Sequence, residues 1–91
     1  MAHKSEDILQ KEIDKARKLV GVGGLYCHYK HPEKYYLVEA IVIIEETEEI
    51  GVAYRALYGS GFLWIRPLKN FLEKVDVGGK KVPRFRTCPS P

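Results

Sequence analysis

The chain has 91 residues, which is one domain with room for a single core. Hydrophobic residues make up 45% and charged residues 30%, the balance of an ordinary globular protein and not of a disordered one. The net charge of +3 permits contact with a phosphate backbone but lacks the dense basic patch of a dedicated nucleic-acid binder.

Residues 5–20 read as an amphipathic helix. Leu9, Ile13, Ala16 and Val20 recur at helical spacing. Ser5 suits the N-cap, Glu6 and Asp7 suit the positive end of the helix dipole, and Arg17 and Lys18 suit the negative end. Gly21, Gly23 and Gly24 then end the helix.

From residue 25 the hydrophobic period changes to two. Residues 25–30 alternate, with Leu25, Cys27 and Tyr29 on a core face and Tyr26, His28 and Lys30 on an outer one. His31 to Lys34 reads as a turn around Pro32. Residues 35–45 form a long strand with Tyr36, Val38, Ala40, Val42 and Ile44 on the core face. Its other face, Tyr35, Leu37, Glu39, Ile41 and Ile43, is half apolar and predicts partial cover by the N-terminal helix. A charged turn, Glu46-Thr47-Glu48-Glu49, leads into a strand over 50–58 with Ile50, Val52, Tyr54, Ala56 and Tyr58 inward. Gly59-Ser60-Gly61 turns the chain into a strand over 62–66, with Leu63 and Ile65 inward and Phe62, Trp64 and Arg66 outward. Pro67 to Val75 reads as a short helical turn, Gly78-Gly79 as a hairpin signal, and Val82 to Thr87 as a last strand before a frayed tail over 88–91.

About five short antiparallel strands with one helical turn before the last predict a mainly β fold, specifically a small SH3-like barrel or roll. The second architecture is an open antiparallel sheet with the helix packed on one face. The chain divides into a helix and glycine linker (1–23), the β-domain (24–87) and the tail (88–91).

Keeping the core faces aligned across Gly59 places Tyr58 opposite Leu63 and Ala56 opposite Ile65, with Ser60-Gly61 as a two-residue turn. Leu57 then faces Trp64 and Arg55 faces Arg66. Two like charges directly across a sheet are destabilising. A carboxylate such as Glu39, Glu46 or Glu48 can offset them, and so can an anionic ligand held by two guanidinium forks beside Trp64. If the first strand neighbours this hairpin, Tyr26, His28, Lys30, Arg55, Trp64 and Arg66 line one groove suited to stacked bases or a charged small ligand.

Other constellations carry less. Cys27 and His28 point to opposite faces and are no catalytic pair. Cys27 and Cys88, far apart in sequence, form neither a disulfide framework nor a zinc pattern, which predicts a buried structural thiol and a reducing compartment. His28, His31 and Glu33 lack the spacing of a metal site. Four carboxylates, Glu45, Glu46, Glu48 and Glu49, cluster at one turn, and they can be simply solvated or contact Lys80, Lys81, Arg84 and Arg86. Met1 to Asp7 is polar, unlike a signal peptide, and the longest uncharged apolar run, Ala40 to Ile44, is far short of the ~20 residues of a membrane span. The prediction is a soluble cytoplasmic protein without membrane contact.

Tyr26-Cys27-His28-Tyr29-Lys30, Glu46-Thr47-Glu48-Glu49, Tyr54-Arg55-Ala56-Leu57-Tyr58-Gly59, Trp64-Ile65-Arg66-Pro67 and Pro83-Arg84-Phe85 occur in that order. This series resembles the small bacterial domain-of-unknown-function family sixteen fifty-three, over roughly Gly24 to Arg86. The resemblance implies an SH3-like roll and a mostly bacterial distribution, and no activity. The chain departs from the family at Ile44, where members often carry histidine, and at His31, where they often carry glycine. The N-terminal helix is an addition to the family core.

These readings predict a binding module holding an anionic or nucleotide-like ligand, or nucleic acid, on Tyr26, His28, Lys30, Arg55, Trp64 and Arg66. No cofactor, metal or catalytic residue is assigned. The alternatives are a protein-interaction domain using the helix or a strand edge, and a small enzyme pairing His28 with Glu46 or Glu48.

Overall fold

A computed structural model of the chain describes residues 3–88. Helix α1 spans Glu6–Leu19, capped by Ser5, whose hydroxyl accepts the Ile8 amide at 3.2 Å. Seven strands follow: β1 (Leu25–His28), β2 (His31–Ile44), β3 (Glu49–Ala56), β4 (Leu63–Pro67), β5 (Lys74–Val77), β6 (Lys80–Pro83) and β7 (Phe85–Thr87). One turn of helix, α2 (Leu68–Phe71), separates β4 from β5. The architecture is mainly β, as predicted.

Five strands form one antiparallel sheet in the order β4-β3-β2-β1-β7, and β5 and β6 form a separate hairpin. The sheet is open: β4 and β7 are its edges and do not meet among the described residues. That is the second predicted architecture and not a closed barrel. The β5–β6 hairpin turns at Gly78 and Gly79, whose φ of +59° and +86° are the left-handed values that a two-residue hairpin of this twist needs. The helical turn expected over 67–75 stops at Phe71, because residues 74–77 pair with β6. The turn expected at His31–Lys34 belongs instead to β2; the chain reverses at Tyr29-Lys30, and His28 stands opposite His31.

One bulge decides which side chains enter the core. Val38 pairs with Tyr54, but the next β2 residue to pair, Ala40, stands opposite Ala53, so Glu39 is the inserted residue. Before it, Tyr36 and Val38 face the core. After it the parity inverts, and Ile41 and Ile43 share a face with Val52 and Ile50, while Ala40 and Val42 join Ala53 and Gly51 on the opposite face. The uninterrupted core face predicted from Tyr36 to Ile44 is thus broken halfway, since one extra residue exchanges the two faces of everything beyond it.

The core lies on this inner face. Val20, Tyr26, Val38, Val52, Tyr54, Phe71 and Phe85 form its buried cluster, with Tyr36, Ile41 and Leu68 packed against it. Helix α1 joins the core through Val20 and Ala16, both essentially without exposure. The helix was expected on the outer face. The bulge explains the difference: it turns Ile41 inward, so the surface in need of cover lies beside Ile50 and Leu68. Tyr26, expected on the outer face of β1, is also in this core, and its hydroxyl accepts the Gly21 amide at 2.9 Å where the helix ends.

Cys27 lies on the opposite face of β1, buried as expected, and is paired with Cys88, the residue after β7, with Cα atoms 6.0 Å apart. That separation is within the disulfide range. Adjacent strands β1 and β7 bring together two cysteines 61 residues apart in sequence, so the reading of unpaired thiols is corrected, and the reducing compartment inferred from them loses its premise. Among the described residues no helix is long and apolar enough to cross a membrane.

Candidate functional site

The β3–β4 register sets the site. Arg66 stands opposite Val52, Trp64 opposite Tyr54, and Arg55 opposite Leu63. The connection is a loop over residues 57–62 closed by the Ala56 amide on the Phe62 carbonyl at 2.9 Å, not a two-residue turn. The predicted facing pair of Arg55 and Arg66 therefore does not form. Val52 and Tyr54 face inward, so Trp64 and Arg66 do too.

There they border a cavity of about 290 Å³ lined by His28, Lys30, His31, Tyr36, Tyr54, Tyr58, Trp64, Arg66 and Phe85. Strands β1, β2, β3, β4 and β7 and the 57–62 loop all contribute. Its floor is Phe85, stacked on Phe71 at 4.4 Å between ring centres and met edge-on by His28 (5.0 Å), Tyr54 (5.2 Å) and Tyr36 (5.9 Å). Edge-to-face and stacked contacts of this kind fix ring positions and stiffen the floor.

Arg66 is the best-anchored polar group. Its guanidinium lies 5.4 Å above the Phe85 ring, its Nε donates to the Tyr54 hydroxyl at 3.2 Å, and its Nη1 donates to Asn70 Oδ1 from α2. All three partners are neutral. Among the described residues no carboxylate lies within ion-pair distance of Arg66 or Lys30, and none lines the cavity. Opposite, the Tyr36 and Tyr58 hydroxyls share a hydrogen bond of 2.6 Å, and Lys34 Nζ lies 4.9 Å from the Tyr58 ring centre. Burial, followed by the hydrogen bond to Tyr58, pushes the Tyr36 phenol well above its ordinary range, so it stays a neutral hydroxyl.

His28 reports the field. Its pKa lies below the usual 6.5, first because it is partly buried and then because Arg66, Arg84, Lys30 and His31 crowd it with positive charge. Its Nδ1 accepts the Lys30 amide at 3.2 Å, which stabilises the tight β1–β2 turn and favours the neutral ring.

Of the six residues predicted to bind ligand, the fold brings His28, Lys30, Trp64 and Arg66 to one cavity. Tyr26 is buried in the core. Arg55 lies on the outer face, its Nε donating to Glu39 Oε2 at 2.7 Å and its Nη1 to the Gly61 carbonyl at 2.9 Å. Glu39, one of the carboxylates weighed as a partner, neutralises it and holds its pKa up. Glu46 and Glu48 lie beyond the far end of β2 from His28, a strand of 14 residues at about 3.3 Å each, so no acid–base pair with His28 forms. Glu48 instead accepts the Lys4 amide at 2.9 Å, far from the lysines and arginines near the C-terminus. Tyr36, Tyr54, Tyr58 and Phe85 line the cavity although the alternation gives the three tyrosines only a core role. The available signal was chemical: tyrosines at inward positions carry a polar tip that must reach a partner or an opening.

The family model for a protein of unknown function, DUF1653, matches residues 24–87. The chain belongs to this family. Every cavity residue lies within the DUF1653 match, whereas α1 lies outside it. A crystal structure of a DUF1653 protein from Bordetella bronchiseptica is similar, with 35% identity and a TM-score of 0.60 over 69% of this chain and 81% of that one. A search of curated proteins finds no match. The DUF1653 description assigns no activity, so function must be argued from the cavity itself.

Proposed function

We propose that this domain is a binding module whose inner-face cavity holds a small anionic ligand carrying a flat ring, of the nucleotide class. One observation carries the reading: the cavity presents Arg66 above an aromatic floor with Lys30 at its lining, and among the described residues no carboxylate neutralises them. A guanidinium held by neutral partners keeps its full charge for a phosphate or carboxylate, and charge-assisted contacts of this kind are the strong ones. Trp64, half exposed at the rim, and the Tyr58 ring offer π-faces to a base. At about 290 Å³ the cavity is at the small end of ligand sites and suits a mononucleotide fragment better than a polymer.

The test is a two-dimensional amide and indole NMR titration with inorganic phosphate, with mononucleotides and with a short pyrimidine RNA, at low and moderate salt. Salt-sensitive shifts on His28, Tyr58, Trp64 and Arg66, larger for mononucleotides than for phosphate, are expected. The absence of shifts with all three overturns the reading.

A further inference from the structure

Among the described residues no other element packs on the outer face of β2, β3 and β4. Helices α1 and α2 pack on the inner face, and the β5–β6 hairpin belongs to a separate sheet. What remains outside is a row-by-row apolar surface. Leu37, Arg55 and Leu63 form one row, Ala40, Ala53 and Ile65 the next, and Val42 and Gly51 the one beyond. Leu63 and Ile65 are 48% and 57% exposed. Contiguous apolar surface on a sheet face marks an interaction site.

We propose that this face is an isologous interface between two copies of the chain, stacked sheet on sheet. Size is the first argument. Two strands of about eight residues and one of five, about 4.8 Å apart at about 3.3 Å per residue, give a footprint of roughly 330 Å² per copy, the size of a weak, reversible contact rather than of a permanent dimer. Shape is the second. The middle of the face is built from Ala40, Gly51 and Ala53, and Ile44 and Ile65 already fold over Gly51, where an added Cβ would meet them at 3.2 Å. Small residues flanked by leucine and isoleucine let a second sheet settle at the usual ~10 Å.

Charge is the third argument and selects the occupant. Between the leucine row and the Val42–Gly51 row the charged side chains are Glu39 and Arg55; Glu49, opposite Ile44, and Arg86, opposite Cys27, carry charge only at the margins of the face. Glu39 and Arg55 form one half-exposed pair, with Arg55 in the leucine row and Glu39 inserted between that row and the alanine row. A two-fold axis through that point lays Arg55 of each copy over Glu39 of the other, so a face with one acid and one base is complementary to itself.

Sedimentation equilibrium of the full chain with the Cys27–Cys88 disulfide intact, which leaves no thiol for an intermolecular bond, tests this. The wild type is expected to dimerise reversibly. Glu39→Arg gives a face with two positive groups and Arg55→Glu a face with two negative ones. Each alone should self-associate at least about tenfold more weakly, and their equimolar mixture should recover wild-type association as a heterodimer. Val42→Lys should weaken the dimer by a similar factor, with circular dichroism and melting showing it folded. A wild type that stays monomeric across the concentration series overturns the proposal and leaves the face to a different protein. A dimer indifferent to Val42→Lys, or a mixture that associates no better than its two components, overturns it equally.

Discussion

Arg55 and Arg66 leave opposite faces of the same two strands: Arg55 is opposite Leu63 and is neutralised by Glu39, whereas Arg66 is opposite Val52 and, among the described residues, meets the neutral groups of Tyr54, Asn70 and Phe85 and no carboxylate. One arginine is satisfied within the fold and the other keeps an uncompensated charge over the cavity. The two substitutions to alanine should therefore separate. Arg66→Ala is expected to weaken mononucleotide binding at least about tenfold, the loss typical of a charge-assisted contact. Arg66→Lys keeps the charge but loses the fork and should recover only part of it. Arg55→Ala should leave cavity binding unchanged and the stability of the monomer nearly so, since an ion pair exposed in the monomer contributes little. Calorimetric titration of the three variants decides the matter, and equal losses for both alanine variants would contradict the assignment.

The depressed pKa of His28 has consequences of opposite sign for stability and for binding. In the free protein the folded state gives up its proton more readily than the unfolded chain does. Its contribution to stability is thus fully present above the unfolded value near 6.5 and is lost as the pH falls through the lowered folded value. A bound anion reverses the local field and favours the imidazolium. Phosphate or nucleotide should therefore bind more tightly as the pH falls, and the His28 ring should titrate at a higher pH when the ligand is bound. Proton NMR of the ring with and without ligand measures this directly. The His28→Gln variant should lose both effects, which assigns them to this ring.

The Cys27–Cys88 pair ties the edge strand β7 to β1 and closes a loop across most of the chain. Oxidised protein is expected to show no reactive thiols to Ellman's reagent and to be two hydrogens lighter than reduced protein by mass spectrometry. In the chain-entropy account, closing a loop of 61 residues stabilises by about 4 kcal/mol, and Cys88→Ser should remove up to that amount. Free thiols in fully oxidised protein would show that the pair does not form.

The bulge at Glu39 predicts unequal costs for two valines four residues apart. Val38 is fully buried against Tyr54, whereas Val42 is half-buried on the uncovered face. Val38→Ala should cost about 2 kcal/mol and Val42→Ala under about 1 kcal/mol in denaturant unfolding of the monomer. Equal costs would indicate a strand without a parity break.

Local chemistry made several features legible before any tertiary contact was known. Ser5, the acidic first turn and the glycines after Val20 bracket α1 to within a residue, because caps and dipole effects act over one turn. The Gly78-Gly79 hairpin was equally plain, since only glycine takes two consecutive left-handed conformations cheaply. Alternation located the strands and named Val38, Val52 and Tyr54 as core, and the ordered motifs placed the chain in its family. Alternation cannot say where one residue is inserted, and each insertion or slip exchanges two faces. The bulge at Glu39 and the six-residue loop over 57–62 were therefore decided only by the assembled sheet, and with them the helix's place, the parting of Arg55 from Arg66, and the tyrosines around the cavity. The same holds for Cys27 and Cys88. Their meeting depends on β7 returning to β1, a pairing across 61 residues that no local pattern encodes.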